Sequence, residues 1–437
     1  MTDLFSAARQ EPVRKDEEYT AKDIEVLEGL EPVRRRPGMY IGGTDENAMH
    51  HLVNEVLDNS MDEAVAGHAN RIEINMYADG SVMIRDNGRG IPIDPHPKYP
   101  NKSALEVIYT TLHSGGKFST KAYQTSGGLH GVGISVVNAL TDKLSVEVIR
   151  NKKIYRQSFS RGAAQDNLTE IGNIANRKGT TITFHPDPEI FGENAKLKAQ
   201  HIYKLARSKA YLYRGVEIRW YCDAELNQNL DIPNEDVIHF PGGLKDYISS
   251  KMNEKSILTD QIFAGEQLID NKGTKIEWAV GWQDDDKNFI QSYCNTIPTP
   301  MGGVHEQGFR AVLLKGIKNY GEMTSNKKAS NIIIDDILAC SAIALSLFIS
   351  EPLFQGQTKE KLVSSGVNRM VELAIKDHFD HWLSGNKKIA DKLLDCFISL
   401  AEERMNRKST KAISRKTAVQ KLRLPGKLAD CTRTSAD

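Results

Sequence analysis

No CxxC pair occurs in this chain, and its five cysteines, Cys222, Cys294, Cys340, Cys396 and Cys431, are odd in number and widely spaced. That argues against a disulfide framework or a cysteine zinc site and predicts a reducing, cytoplasmic setting. No hydrophobic run is long enough to span a bilayer. The longest, 337–349, follows Asp335 and Asp336 and reads as a buried core element. Residues 1–18 lack an apolar leader segment and read as a flexible polar arm. Neither sign of charge is in excess: 57 Lys and Arg balance 57 Asp and Glu, so a nucleic-acid contact must rest on a local patch. No GxxxxGK[ST] occurs, which excludes a Walker-type phosphate loop. Internal repeats are also missing.

What is present is a chain of 437 residues, too long for one core of ordinary size, so two or three domains are expected. From His50 to Ala66 the apolar residues Leu52, Val53, Val56, Leu57, Met61, Ala64 and Val65 recur at helical spacing. Residues 71–77 and 81–85 alternate as two strands around an Ala-Asp-Gly turn. DNGRGIP (86–92) is a loop by its glycine and proline content, and 103–112 reads as a helix. A glycine-rich segment, 114–133, leads into an apolar helix, and further strands are expected over 144–159 and 180–184. Helices packed on one mostly antiparallel sheet give an α+β class. A second region begins near Asp231. It runs through a strand-like WAVGW and a turn-rich IPTPMGGVHEQG to a helical stretch ending near Arg404. From Arg404 to Lys427 the chain carries nine Lys or Arg and no acid, and it reads as a linker.

Four groupings bear chemistry. His51, Glu55 and Asn59 are spaced i, i+4, i+8 on one helix face, with Asp58 and Asp62 as a neighbouring pair. A carboxylate beside an imidazole can act as a general base, and an amide oxygen one turn on can ligate Mg²⁺. Such a face, taken alone, is more often simply solvated. In DNGRGIP, Gly88 and Gly90 permit close backbone approach, and Asp86 could hydrogen-bond a purine amino group; an ordinary turn is the plainer reading. In HSGGKF and SGGLHGVG, backbone N–H groups before a helix can form a phosphate nest, with Lys117 adding charge, although flexible surface loops share this composition. QTKEKL (357–362) offers one lysine that is usually solvent-facing.

Joined in order, NEVLDNSMDEA, DNGRGIP, GGKF, SGGLHGVGISVVNAL and KGTTITF resemble the ATP-binding domain of the gyrase, chaperone, histidine-kinase and mismatch-repair superfamily. RRRPGMYIG, PTPMGGVH, QTKEKLVSS and LPGKLADC are similar to the B subunits of bacterial type IIA topoisomerases. EPVRRRPGMY and KLRLPGKLADCT tilt the resemblance towards the topoisomerase IV branch rather than gyrase. It covers residues 19–431.

The resemblance implies a two-layer α/β sandwich that binds ATP (19–235) after an arm (1–18). It further implies a ribosomal S5-like α/β transducer (236–405) and a basic linker opening a metal-binding domain (406–437). It also implies roles. Glu55 is the general base, His51 orients it, and Asn59 holds Mg²⁺. Asp86 accepts from adenine with Thr180 in support. Glu63 and Arg89 pair at the rim beside Gly90, Ile91 and Pro92, and Ile108 touches the base. Lys117, Tyr123 and the run Gly128, Leu129, His130, Gly131, Val132 and Gly133 cradle the triphosphate. Gln357 and Lys359 reach the γ-phosphate from the second domain. Tyr19 lies on an arm wrapping a partner's site, and Arg89 and Arg150 lie where aminocoumarins compete with ATP. The implied partners are a second copy on ATP binding, the DNA-cleaving A-type subunit and double-stranded DNA, with no membrane.

No acidic EGDSAGG-type motif follows LPGKLADC. The expectation is therefore a piece of a longer chain that hydrolyses ATP but neither cuts nor relaxes DNA by itself. Competing readings are a gyrase B fragment, a chaperone or mismatch-repair ATPase, a histidine kinase and a nucleotide-binding module that does not hydrolyse. QTKEKL and PTPMGGVH weigh against the chaperone and repair readings, and Glu55 against the last.

Overall fold

The computed structural model describes residues 21, 24–117, 125–128, 131–228, 230–252, 257–271, 273–284, 288–356 and 359–421, with side chains to residue 410. Among them, the first sheet has nine strands. Its order is Glu235–Ile238, Glu217–Cys222, Arg71–Met76, Val82–Asp86, Gly179–Pro186, Thr141–Arg150, Lys153–Ser160 and Ala163–Ala164, with Thr169–Asn173 also pairing Lys153–Ser160. Pairing is antiparallel except between Arg71–Met76 and Glu217–Cys222. Buried and half-buried positions alternate along the central strands, as one covered face requires.

Helices Glu46–Val65, Gly133–Ala139 and Ala199–Leu212 contribute to that cover. The first presents Leu52, Val53, Val56, Leu57, Met61 and Ala64 to the core. It starts a turn before the expected His50, because Asp45 caps it by accepting from the Ala48 N–H at 2.9 Å. Glu46 and Asn47 are polar, so apolar spacing alone missed that turn.

The second sheet runs Phe263–Leu268, Lys275–Trp282, Ser341–Phe348, Phe289–Cys294, Ile297–Pro298. Ser341–Phe348 is central and buried at every position, which explains its mostly apolar sequence, interrupted by the buried Ser341 and Ser346. Helices Val304–Met323 and Val367–Gly385 help cover one side. On the other lie Leu244–Lys251 and the end of Ala199–Leu212, where Tyr211 and Tyr247 share a core with Ala279, Tyr293, Ala342 and Ala344. Helix Ala199–Leu212 therefore belongs to both sheets' packing.

Two expectations need correction. Only the middle of IPTPMGGVHEQG is a turn, since Ile297–Pro298 is a short strand and VHEQG opens helix Val304–Met323. The basic stretch after Arg404 is helical up to Lys421, continuing a helix that starts at Lys387.

Candidate active site

The helix Glu46–Val65 turns its polar edge to a cavity of about 440 Å³ lined by His51, Glu55, Asp58, Asn59 and Glu63, a volume suited to one small ligand. The imidazole of His51 and the carboxylate of Glu55 both face it. Among the described residues no hydrogen bond joins them, so they are neighbours on the wall rather than a bonded pair.

Asp86 ends strand Val82–Asp86 and lies in the cavity lining, 7% exposed. It accepts from the N–H of Gly88 at 2.8 Å, the hydroxyl of Ser60 at 3.4 Å and the N–H of Thr180 at 3.4 Å. Burial raises its pKa to about 6 against the pull of those donors, and the nearby Glu63 charge adds to the rise. Glu63 is held by Arg89, whose Nη2 donates to Oε1 at 2.6 Å while its backbone N–H donates to Oε2 at 2.9 Å. Gly90, Ile91, Pro92 and Ile108 line the same cavity, and Arg150 donates to the Gly90 carbonyl at 3.0 Å.

The glycine-rich segments close round the helix. Lys117 donates to the Asn59 Oδ1 at 2.6 Å and pairs with Asp62. Asp62 also accepts from the N–H groups of Gly127, at 2.7 Å, and Gly128, at 3.3 Å. One nearly buried carboxylate thus gathers two backbone donors and an ammonium, a donor set that suits an anion. Gly128, Gly131, Val132 and Gly133 line the cavity. A Cβ on Gly133 would stand 1.8 Å from the Glu55 Oε2, so only glycine lets that carboxylate lie there. From the second unit, Lys359 joins the lining and donates to the Gly127 carbonyl at 3.2 Å.

Most of the described candidates therefore meet in one place. Tyr19, Tyr123, Leu129, His130 and Gln357 lie outside the described residues. Sequence reasoning missed four groups. Asp62 was seen only as a neighbour of Asp58, and Ser60 not at all. Lys209, 2% exposed, pairs with Asp58 in the cavity wall. A signal existed for Lys209: it falls three residues after Ala206 and seven after Ile202, a core position on an amphipathic helix. Asn295 likewise touches the glycine-rich segment through Ser126.

Residues 44–190 match the family described as histidine kinase-, DNA gyrase B- and HSP90-like ATPases, and residues 243–413 match DNA gyrase B. The B subunit of DNA topoisomerase 4 from Rickettsia bellii is 60% identical over the whole of this chain, which spans 66% of that relative. The chain thus spans just under two thirds of the curated relatives it matches first. The ATPase domain of Thermus thermophilus gyrase B, solved with an aminocoumarin, superposes with a TM-score of 0.71 at 32% identity, covering 88% of this chain and 98% of that one. The ATP-binding domain of Francisella tularensis topoisomerase IV, solved with a small-molecule inhibitor, gives 0.71 at 33% identity, covering 87% and 99%.

Proposed function

The chain belongs to the family of topoisomerase IV and gyrase B subunits, and from that premise we propose that it binds and hydrolyses ATP as the gate of a topoisomerase IV-type B subunit. The observation that carries this reading is that one cavity brings together Asp86, Glu55, Asn59 and Lys359. Phosphoryl transfer needs little covalent chemistry from a protein; positioning and charge stabilisation dominate.

Asp86 accepts from the adenine amino group, and Ile108 packs against the base. Lys117 and the backbone of Gly128 to Gly133, with Tyr123, cradle the triphosphate. ATP entry thus requires Lys117 to leave Asp62. Gln357 and Lys359 hold the γ-phosphate, and Glu55 takes the proton of the attacking water while His51 orients it. No cluster of three or more His, Cys, Asp or Glu able to hold a metal occurs among the described residues. The Asn59 Oδ1 is a hard oxygen on the cavity wall. That fits Mg²⁺, which usually takes few protein ligands and completes its shell with phosphate oxygens and water. When bound, the ion neutralises charge on the phosphates.

In the full-length subunit, residues 1–18 form an arm, with Tyr19 reaching a second copy; 19–235 bind ATP, 236–405 transmit its state, and 406–437 lead onward. ATP-driven pairing of two copies, with an A-type subunit that cleaves double-stranded DNA, changes DNA topology in the cytoplasm. Among the described residues no helix is long and apolar enough to cross a membrane. Arg89 and Arg150 border the cavity where aminocoumarins compete with ATP.

Glu55→Gln tests the mechanism. Expected are ATP binding within about threefold of wild type and turnover reduced by roughly 10² or more, the usual scale for losing a general base. Normal turnover in this variant would remove Glu55 from the mechanism.

A further inference from the structure

Lys209 sits on helix Ala199–Leu212 at 2% exposure, an unusual place for a lysine. It pairs with Asp58, one residue before Asn59, and donates to the Thr296 carbonyl at 2.7 Å. Thr296 belongs to the second sheet, in the tight turn between strands Phe289–Cys294 and Ile297–Pro298. Both turn residues are left-handed, Asn295 at φ +49° and Thr296 at φ +65°. Non-glycine residues hold that conformation at a cost, and it persists where surrounding contacts fix it.

Here the contacts are identifiable. The Asn295 amide donates to the Ser126 carbonyl at 2.8 Å and to the Ile349 carbonyl at 2.8 Å, while its Oδ1 accepts from the Ile349 N–H at 2.9 Å. Its own N–H donates to the Leu347 carbonyl at 2.8 Å. Ser126 adjoins Gly127, whose carbonyl accepts from Lys359 and whose N–H is held by Asp62. Ile349 opens the segment that leads to Lys359. One two-residue turn thus touches the nucleotide helix through Lys209, the glycine-rich segment through Ser126 and the root of the Lys359 segment through Ile349.

We infer that Lys209 and Asn295 form a joint that sets the positions of segment 126–128 and Lys359 over the cavity, making both positioning residues for ATP hydrolysis. The inference rests on the ATPase reading above. It separates two functions of the site. The adenine end, built on Asp86, is independent of the joint, whereas the phosphate end depends on it.

The test uses the whole chain with Lys209→Met, Asn295→Ser and the double variant. Steady-state ATP turnover, calorimetric ADP affinity, thermal melting and amide hydrogen exchange at 126–128 are measured on each. Lys209→Met nearly preserves volume and leaves Asp58 facing the cavity rather than sealed in the core. The expected result is kcat lowered at least tenfold, ADP affinity within threefold, and a double variant no worse than the worse single, because residues acting through one joint are non-additive. Exchange at 126–128 should quicken. A residue that merely fills the core would lower melting and all parameters together, and its loss would multiply with that of Asn295→Ser. Turnover within twofold of wild type in a folded Lys209→Met, or multiplying losses, overturns the joint. If Lys209→Met does not fold, Asn295→Ser and Asp58→Asn carry the same criteria. If the wild-type chain shows no turnover, the ATPase reading fails by itself. Exchange at 126–128 then decides the joint alone: quicker supports it, unchanged overturns it.

Discussion

Asp86 is the stronger acceptor for a purine amino group when charged, yet its surroundings oppose the charge. Burial carries its pKa from the usual 3.8 to about 6. An acid whose folded pKa is raised is most stabilising when protonated. Its contribution is fully present below pH 3.8 and is lost as pH climbs to about 6, a loss on the order of 3 kcal/mol at 1.36 kcal/mol per unit. An asparagine side chain in its place could still accept from Gly88 and Thr180 and face the Ser60 hydroxyl with its amide. Asp86→Asn is therefore expected to melt higher than wild type at pH 7.5, with the difference vanishing near pH 4, while ATP affinity drops at least tenfold. Equal melting at both pH values would mean that the three donors already offset the burial. For wild type, kcat/KM for ATP should fall on the acid side with a midpoint near pH 6, since that ratio reports the free enzyme. Stability and binding oppose each other at this residue, as they often do where a site is built for function.

Strand Gly179–Pro186 shows the same dependence one scale up. Gly179 opens it at φ +126°, and a Cβ there would stand 1.9 Å from the Asp86 carbonyl. Gly179→Ala must therefore push two adjacent strands apart, and a loss of about 3 kcal/mol or more is expected from overpacking and backbone strain together. Gly172→Ala, in edge strand Thr169–Asn173, meets nothing nearer than 3.9 Å and should change little. Urea unfolding of the pair checks this; equal midpoints would show that the sheet yields at Gly179. The elements whose signals are local were legible in sequence: helix Glu46–Val65 by its apolar spacing and the 71–86 hairpin by alternation. What escaped depends on distant partners. Asp62 meets Gly127 across 65 residues, Lys209 meets Thr296 across 87, and Asn295 meets Ser126 across 169. No local pattern announces such contacts. The helix from Lys387 was read as ending near Arg404 for a related reason. Ala390, Leu393, Leu394, Phe397, Ile398 and Ala401 bury its first half, and the rest propagates from that nucleus without an apolar face to advertise it.

At the scale of the whole molecule, the second unit reaches the cavity through Lys359, while Ile24 and Val26, near the proposed arm, are 59% and 78% exposed. Two apolar side chains with so little cover in a single chain suit burial against a second copy. If ATP stabilises that pairing, and pairing completes the site, turnover must follow the dimer population. The rate should rise with nearly the square of protein concentration when dilute and linearly once pairing saturates, because nucleotide binds the paired state preferentially. Ile24→Ser with Val26→Ser should move the crossover to higher concentration without altering ADP affinity, since neither residue lines the cavity. Steady-state turnover over a hundredfold dilution series, with light scattering in the presence of a non-hydrolysable ATP analogue, reads both effects. A specific activity that stays constant through the series would mean that one chain hydrolyses ATP unaided. Lys359 would then complete the site from within the same chain, and pairing would serve the gate but not the chemistry.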